Sequence, residues 1–256
     1  MEEYQNMKLI KNKRIGKVLF VVEGSRHEFS LIKKIFEDLL GYQRIEKRRN
    51  KATYYKSQTD SHSTVAVINT KNSNIASISE TDYLDTIYAE LIEQYSFDVT
   101  NAAVYYIFDR DSKSNTDPQF ILNLLHTLKN SRENENSMMG GILILSYPSI
   151  EAYEISHFID GSYNICARLG TDAKKIILQH AHTIAMNKIN EHSILHACSE
   201  FKKYISDQGI DFNIDDFSST NIHIFNKEEK YYEEKSTYFL FSVMSYVLFD
   251  LGIIRE

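Results

Sequence analysis

The feature that most constrains this chain is the way its apolar runs end. Lys17–Val22 (KVLFVV), residues 104–108 (VYYIF) and residues 142–145 (ILIL) are short and almost wholly apolar, and each runs into a polar turn. Runs of this length without polar alternation fit strands covered on both faces, as in a parallel sheet flanked by helices. Between them the apolar residues recur at helical spacing: Phe29, Ile32, Ile35, Phe36, Leu39 and Leu40, then Tyr83, Leu84, Ile87, Leu91 and Ile92, then Phe120, Leu124, Leu125 and Leu128. Residues 43–57 read as a polar hairpin, 64–69 (TVAVIN) as a further strand, 130–139 as a loop and 150–158 as a helix. Over residues 1–160 this alternation predicts an α/β fold, a mostly parallel sheet with crossover helices. From 161 to 256 the alternation stops. Helices over 171–207 and 229–252, around a polar segment 208–228, predict a C-terminal helical region.

The sequence supports a folded, water-borne chain. It has 256 residues, 43% of them apolar, enough for a substantial core. Its two cysteines, Cys166 and Cys198, make no disulfide framework, so a reducing cytoplasm is expected. Residues 1–10 lack the apolar run of a secretory signal. The longest apolar stretch, 238–251, is interrupted by Ser242, Ser245 and Asp250 and is shorter than a bilayer span, so it reads as a core helix and no membrane association is expected. Charge is unevenly spread. Residues 1–60 carry 14 Lys and Arg against 8 Asp and Glu, which leaves 15 against 27 in the other 196. The basic residues Arg44, Lys47, Arg48, Arg49, Lys51 and Lys56 interleave with Tyr42, Tyr54 and Tyr55, a pattern suited to a phosphate backbone or, equally, to a solvated face.

In open α/β sheets ligands sit beyond the carboxyl ends of the strands. Here those ends are acidic: Glu23 closes the first run, Asp109 and Asp111 the second, Glu151 opens the helix after the third, and Glu28 lies one turn into the first helix. Crowded carboxylates raise each other's pKa unless a cation neutralises them. Oxygen ligands select Mg2+ or Mn2+, and such an ion in turn suits phosphoryl transfer or phosphodiester hydrolysis.

Three segments, VLFVVEGSRHE (18–28), VYYIFDRD (104–111) and LILSYPSIEAYEISHF (143–158), together resemble a Toprim domain of the RloB-like, abortive-infection type. The resemblance rests on a strand ending in E-G (Glu23, Gly24), a later strand ending in D-x-D (Asp109, Asp111), an E-G-x-x-x-E (adding Glu28) and an S-x-P-x-x-E before a helix (Ser146, Pro148, Glu151). It covers about residues 15–160 and implies a Toprim-like Rossmannoid catalytic domain over 1–160. Glu23, Asp109 and Asp111 would be the catalytic and metal-binding residues, with Glu28 and Glu151 as further ligands or supports. It also implies a Mg2+-dependent (or Mn2+-dependent) nuclease cutting RNA such as tRNA, or DNA, as the effector of an anti-phage system. A separate SMC- or ABC-like ATPase would control it, since no G-x-x-x-x-G-K-[ST] occurs in this chain. Residues 161–256 would be a helical appendage for homodimer or partner docking.

Arg26, Arg110 and Lys113, beside the acidic turns, and Arg48 and Arg49 in the basic segment are the expected nucleic-acid contacts. His27 is a conceivable proton carrier. His192 and His196 have i, i+4 metal spacing without an H-E-x-x-H motif. Ser25 and Ser149 lack the context of a nucleophile. Two other functions suit the chain. One is a haloacid-dehalogenase-type phosphatase using Asp109, Asp111 and Ser146, which leaves Glu23 idle. The other is a non-catalytic nucleic-acid-binding subunit.

Overall fold

A computed structural model describes residues 6–24, 26–45, 52–132 and 140–256. Ser25, Arg48, Arg49 and most of the 130–139 loop lie outside them. In chain order the elements are β1 (Lys8–Leu9), β2 (Lys17–Val22), α1 (His27–Lys33), β3 (Tyr42–Ile45), β4 (Thr53–Ser57), β5 (Thr64–Asn69), α2 (Thr81–Tyr95), β6 (Ala102–Asp109), α3 (Pro118–Thr127), β7 (Lys129–Asn130), β8 (Gly141–Tyr147) and α4 (Glu151–Ser156). After these come β9 (Cys166–Ala167), α5 (Gly170–Gln179), α6 (Glu191–Asp207), α7 (Phe217–Lys235), β10 (Tyr238–Phe239), β11 (Phe241–Ser242), α8 (Met244–Asp250) and β12 (Ile254–Arg255).

The central sheet has the order β11-β8-β6-β2-β5-β4-β3. Its core of β8, β6, β2 and β5 is parallel, and the β3–β4 hairpin and β11 extend the two edges antiparallel. The chain is therefore α/β with a mostly parallel sheet. Val18 through Val22 are completely buried, as are Ile142 through Leu145, which is why no polar residue interrupts these strands. Each such side chain contributes roughly 1.5–3 kcal/mol on burial. Helix α3 starts where the sequence provides an N-cap: Asp117 accepts a hydrogen bond from the Phe120 N–H at 3.0 Å, and Pro118 occupies the first turn. Helix α6 starts at Asn190, whose side chain accepts from the Ser193 N–H while Ser193 Oγ accepts from the Asn190 N–H.

Two expectations are corrected in the C-terminal part. Residues 238–251 do not form one helix. Tyr238–Phe239 pairs with β9, Phe241–Ser242 pairs with the end of β8, and only Met244–Asp250 is helical. The segment expected to be polar coil includes most of α7, whose Phe217, Ile224 and Phe225 are buried. Nor does residue 160 mark a seam in the packing. One apolar core runs from the β2 and β6 residues to Phe201, Tyr204, Ile224, Phe241 and Val247, and β11 is a strand of the central sheet. Among the described residues no helix is long and apolar enough to cross a membrane.

Candidate active site

The chain leaves β2 for β5 on one side and then crosses to β6 on the other, so the sheet's switch point lies between β2 and β6. Glu23 and Asp109 stand at the carboxyl ends of those two strands. Glu23 Oε2 accepts a hydrogen bond from the Asp109 N–H at 2.9 Å, joining the two strand ends directly. Asp109 Oδ1 accepts from the Ile150 N–H at 2.8 Å, which brings the turn after β8 into the same place. Ser149 donates its hydroxyl proton to Glu151 Oε2 at 2.6 Å, and Glu28 Oε1 accepts from the Gly24 N–H at 3.0 Å. Gly24 is needed here for space: a Cβ on it would lie 2.6 Å from Glu28 Oε2. Asp111 accepts from the Lys113 N–H at 2.9 Å and, through Oδ2, from the Gly170 N–H at the start of α5 at 3.2 Å. Gly170 is close enough to the turn that a Cβ would meet Ser149 at 3.0 Å.

Five acidic residues from three segments of the chain thus meet at one end of the sheet, each held by a nearby main-chain or hydroxyl donor. Their electrostatics reflect the crowding. Burial, together with the charges of Glu28 and Asp111, outweighs the Asp109 N–H and pushes Glu23 up to about 7. The Asp109 carboxyl is raised well above the usual carboxylate range, first by burial and then by Glu23, Glu151 and Glu28.

The rim is cationic. His27 Nε2 lies 3.2 Å from Glu154 Oε2, its Nδ1 lies 3.9 Å from Glu151 Oε1, and Lys174 Nζ is 3.5 Å from the same Glu151 oxygen. Burial draws the His27 pKa down, but contact with Glu154 and the charges of Glu151, Glu154 and Glu28 outweigh it, and the net shift is upward. Glu154 and Lys174 are not among the sequence-derived site residues. Glu154 follows Glu151 by three positions on a helix that starts at the site, a spacing that signals a shared face. No sequence signal marks Lys174, which lies in the region expected to be an appendage.

The expected nucleic-acid contacts divide. Arg26 and Lys113 are exposed in the turns beside Glu23 and Asp111. Arg110 is not available for a phosphate. Its side chain is 2% exposed, its guanidinium forms two hydrogen bonds with Glu229 at 2.7 and 2.6 Å, and its Nη1 donates to the Asn115 carbonyl. The residue between the two site aspartates is taken up by α7 instead. Ser146, needed by the phosphatase reading, is completely buried with its hydroxyl 2.7 Å from that of Ser242. Ser149 is occupied with Glu151.

The carboxylates suit an ion that keeps much of its water. Among the described residues the only three metal-ligating side chains whose donor atoms all lie within 4.8 Å of one another are Asp160, His196 and Glu200, away from this site. Mg2+, typically held by one or two carboxylates plus waters and substrate oxygens, does not need so tight a cage. The gathering of Glu23, Glu28 and Glu151 around Asp109, which together with burial raises the Asp109 carboxyl, is the feature that fits a cation here. No protein-family model, curated protein or solved structure matches the chain.

Proposed function

We propose that this chain is a Mg2+-dependent or Mn2+-dependent nuclease of Toprim type, hydrolysing phosphodiester bonds in RNA, tRNA included, or in DNA. The observation that carries the reading is the convergence at Asp109: its N–H donates to Glu23 and its carboxylate accepts from the Ile150 N–H, so the ends of β2, β6 and β8 bring acidic groups to one place, an arrangement that a hard dication would stabilise. The order of the motifs along the chain supports the Toprim assignment, with a glutamate after the first central strand and a D-x-D after its neighbour. On the same resemblance the nuclease would be the effector of an anti-phage system restrained by a separate SMC- or ABC-like ATPase.

Asp109, Asp111 and Glu23 would hold the ion, with Glu28 and Glu151 beside them. Bound there, such an ion polarises a phosphoryl oxygen and neutralises charge as the bond breaks. The chain's own groups do the rest. Glu23 Oε2 is fixed by the Asp109 N–H, and a carboxyl titrating near neutrality is suited to accept a proton from water. Lys174 brings a positive charge to the mouth of the site, where it holds a phosphate as a point charge. Arg26 and Lys113 extend that positive rim.

The test is cleavage of plasmid DNA and total tRNA by the full chain, alone and with its ATPase partner, in Mg2+, Mn2+ or EDTA. Metal-dependent scission lost in both Glu23→Ala and Asp109→Asn is the expected result. Turnover of a small phosphate ester that needs Asp109 but tolerates Glu23→Ala would instead establish a phosphatase. Salt-sensitive binding with no scission in either state would leave a binding subunit.

A further inference from the structure

We propose that Asn115 is a positioning residue for the acidic site, holding the Asp109–Asp111 turn in the shape that lets both carboxylates serve one ion. The inference rests on the metal-site reading above and adds to it a residue that touches neither ion nor substrate. Asn115 follows Asp111 by four positions.

The side chain is 3% exposed, and both ends of its amide are used. Nδ2 donates to the Asp109 carbonyl at 2.7 Å, and Oδ1 accepts from the Ile75 N–H at 2.9 Å. One partner can only accept and the other can only donate, so the amide fits in a single orientation. The main chain of Asn115 is equally engaged. Its N–H donates to the Asp111 carbonyl at 2.9 Å, and its carbonyl accepts from Arg110 Nη1 at 2.7 Å. One residue therefore meets Asp109, Arg110 and Asp111, and ties them to the segment after β5, the strand on the far side of β2 from β6.

The consequence falls on Asp109. Its N–H donates to Glu23 and its carboxylate accepts from the Ile150 N–H, while its carbonyl is taken by Asn115. The peptide joining Asp109 to Arg110 is thus held on two sides, by the Arg110 N–H on the Ser146 carbonyl and by the Asn115 amide. Without that amide the peptide keeps only its β8 side, and the chain beyond it, which carries Asp111, loses its fixed direction. Mg2+ takes few protein ligands and demands near-ideal octahedral geometry, so a misplaced carboxylate is felt directly in its affinity. Both side-chain bonds of Asn115 go to main-chain groups, so it acts through Asp109 and not on the ion. Partners that orient metal ligands in this way typically govern affinity by tenfold or more.

The experiment is calorimetric titration of Mg2+ and Mn2+ into the full chain and into Asn115→Ala, Asn115→Asp and Ile121→Val, with thermal melts of each and EPR of bound Mn2+. Ile121 is completely buried in α3, so Ile121→Val lowers stability through packing alone and controls for it. We expect both Asn115 variants to bind Mg2+ at least about tenfold more weakly and to change the zero-field splitting of bound Mn2+, while Ile121→Val binds as the unsubstituted chain does. Asn115→Asp adds a negative charge, which by itself tightens a cation, so weaker binding there reports lost geometry. It also keeps the size of the side chain and the acceptor for Ile75, which keeps the test valid if Asn115→Ala fails to fold. Unchanged or tighter Mg2+ binding in Asn115→Asp overturns the proposal and leaves Asn115 a stabilising turn residue. No uptake by the unsubstituted chain overturns the metal-site reading itself, and this proposal with it.

Discussion

At the scale of single residues, the acidic site depends on small side chains as much as on charged ones. Gly24 lies against the Glu28 carboxylate, the mobile end of a flexible chain, so Gly24→Ala would displace that carboxylate more readily than it disturbs the backbone. We expect a stability change within about 1 kcal/mol and a fall of about tenfold or more in metal-dependent cleavage, read by thermal melts beside an activity assay. The titration of Glu23 sets a pH dependence. Its ordinary value near 4.5 rises to about 7 in the folded chain, so between those values the native state holds a proton that the unfolded state has lost. Metal-free stability is therefore greatest below pH 4.5 as far as this group is concerned and falls as pH rises through about 7. Its share is at most about 3 kcal/mol, from ~1.4 kcal/mol per pH unit. Asp109 and Glu228, both raised by burial, act in the same direction. Melts in EDTA should show this decline, Glu23→Gln should make it shallower, and Mg2+ should raise the melting temperature more at pH 7.5 than at pH 5.

At the scale of elements, the strands that build the site were the most legible part of the sequence. Residues 64–69 match β5 in full, and residues 104–108 and 142–145 fall inside β6 and β8, because a strand buried on both faces admits nothing polar. The five site carboxylates were legible for a related reason, each following an apolar run or opening a helix. Lys174 and Gly170 were not, because nothing local in α5 records that its first turn packs beside Asp111. Arg110 was misread since nothing local to it records that Glu229 of α7 packs against it. The Arg110–Glu229 contact ties the end of β6 to α7, with the Tyr238 ring 5.6 Å from the guanidinium. Removing one partner leaves a buried, uncompensated charge, so Arg110→Ala should destabilise the chain by about 3–5 kcal/mol, and a double-mutant cycle with Glu229→Gln should show strong coupling in denaturant melts. The i, i+4 histidine spacing carries no shared ligand: His196 contacts Asp160 and the Ser156 carbonyl, while His192 is exposed.

At the scale of the whole molecule, the acidic site is completed from both sides of residue 160, with Asp111 held by Gly170 and Glu151 met by Lys174. The shared core and the β11–β8 pairing imply one cooperative unit. We expect the full chain to melt in a single transition by calorimetry, and residues 1–160 alone to lack dispersed amide signals by NMR. Two separable transitions, or a folded fragment, would reinstate the boundary. The placement of β11 also bears on how the chain is made. The edge of β8 at Ser146 and Tyr147 waits for Ser242 and Phe241, so during vectorial synthesis it stays open until nearly a hundred further residues have left the ribosome. Throughout that interval a growing chain carries an open edge at the end of an apolar strand, and nascent polypeptides of this protein should be clients of chaperones that shield such edges.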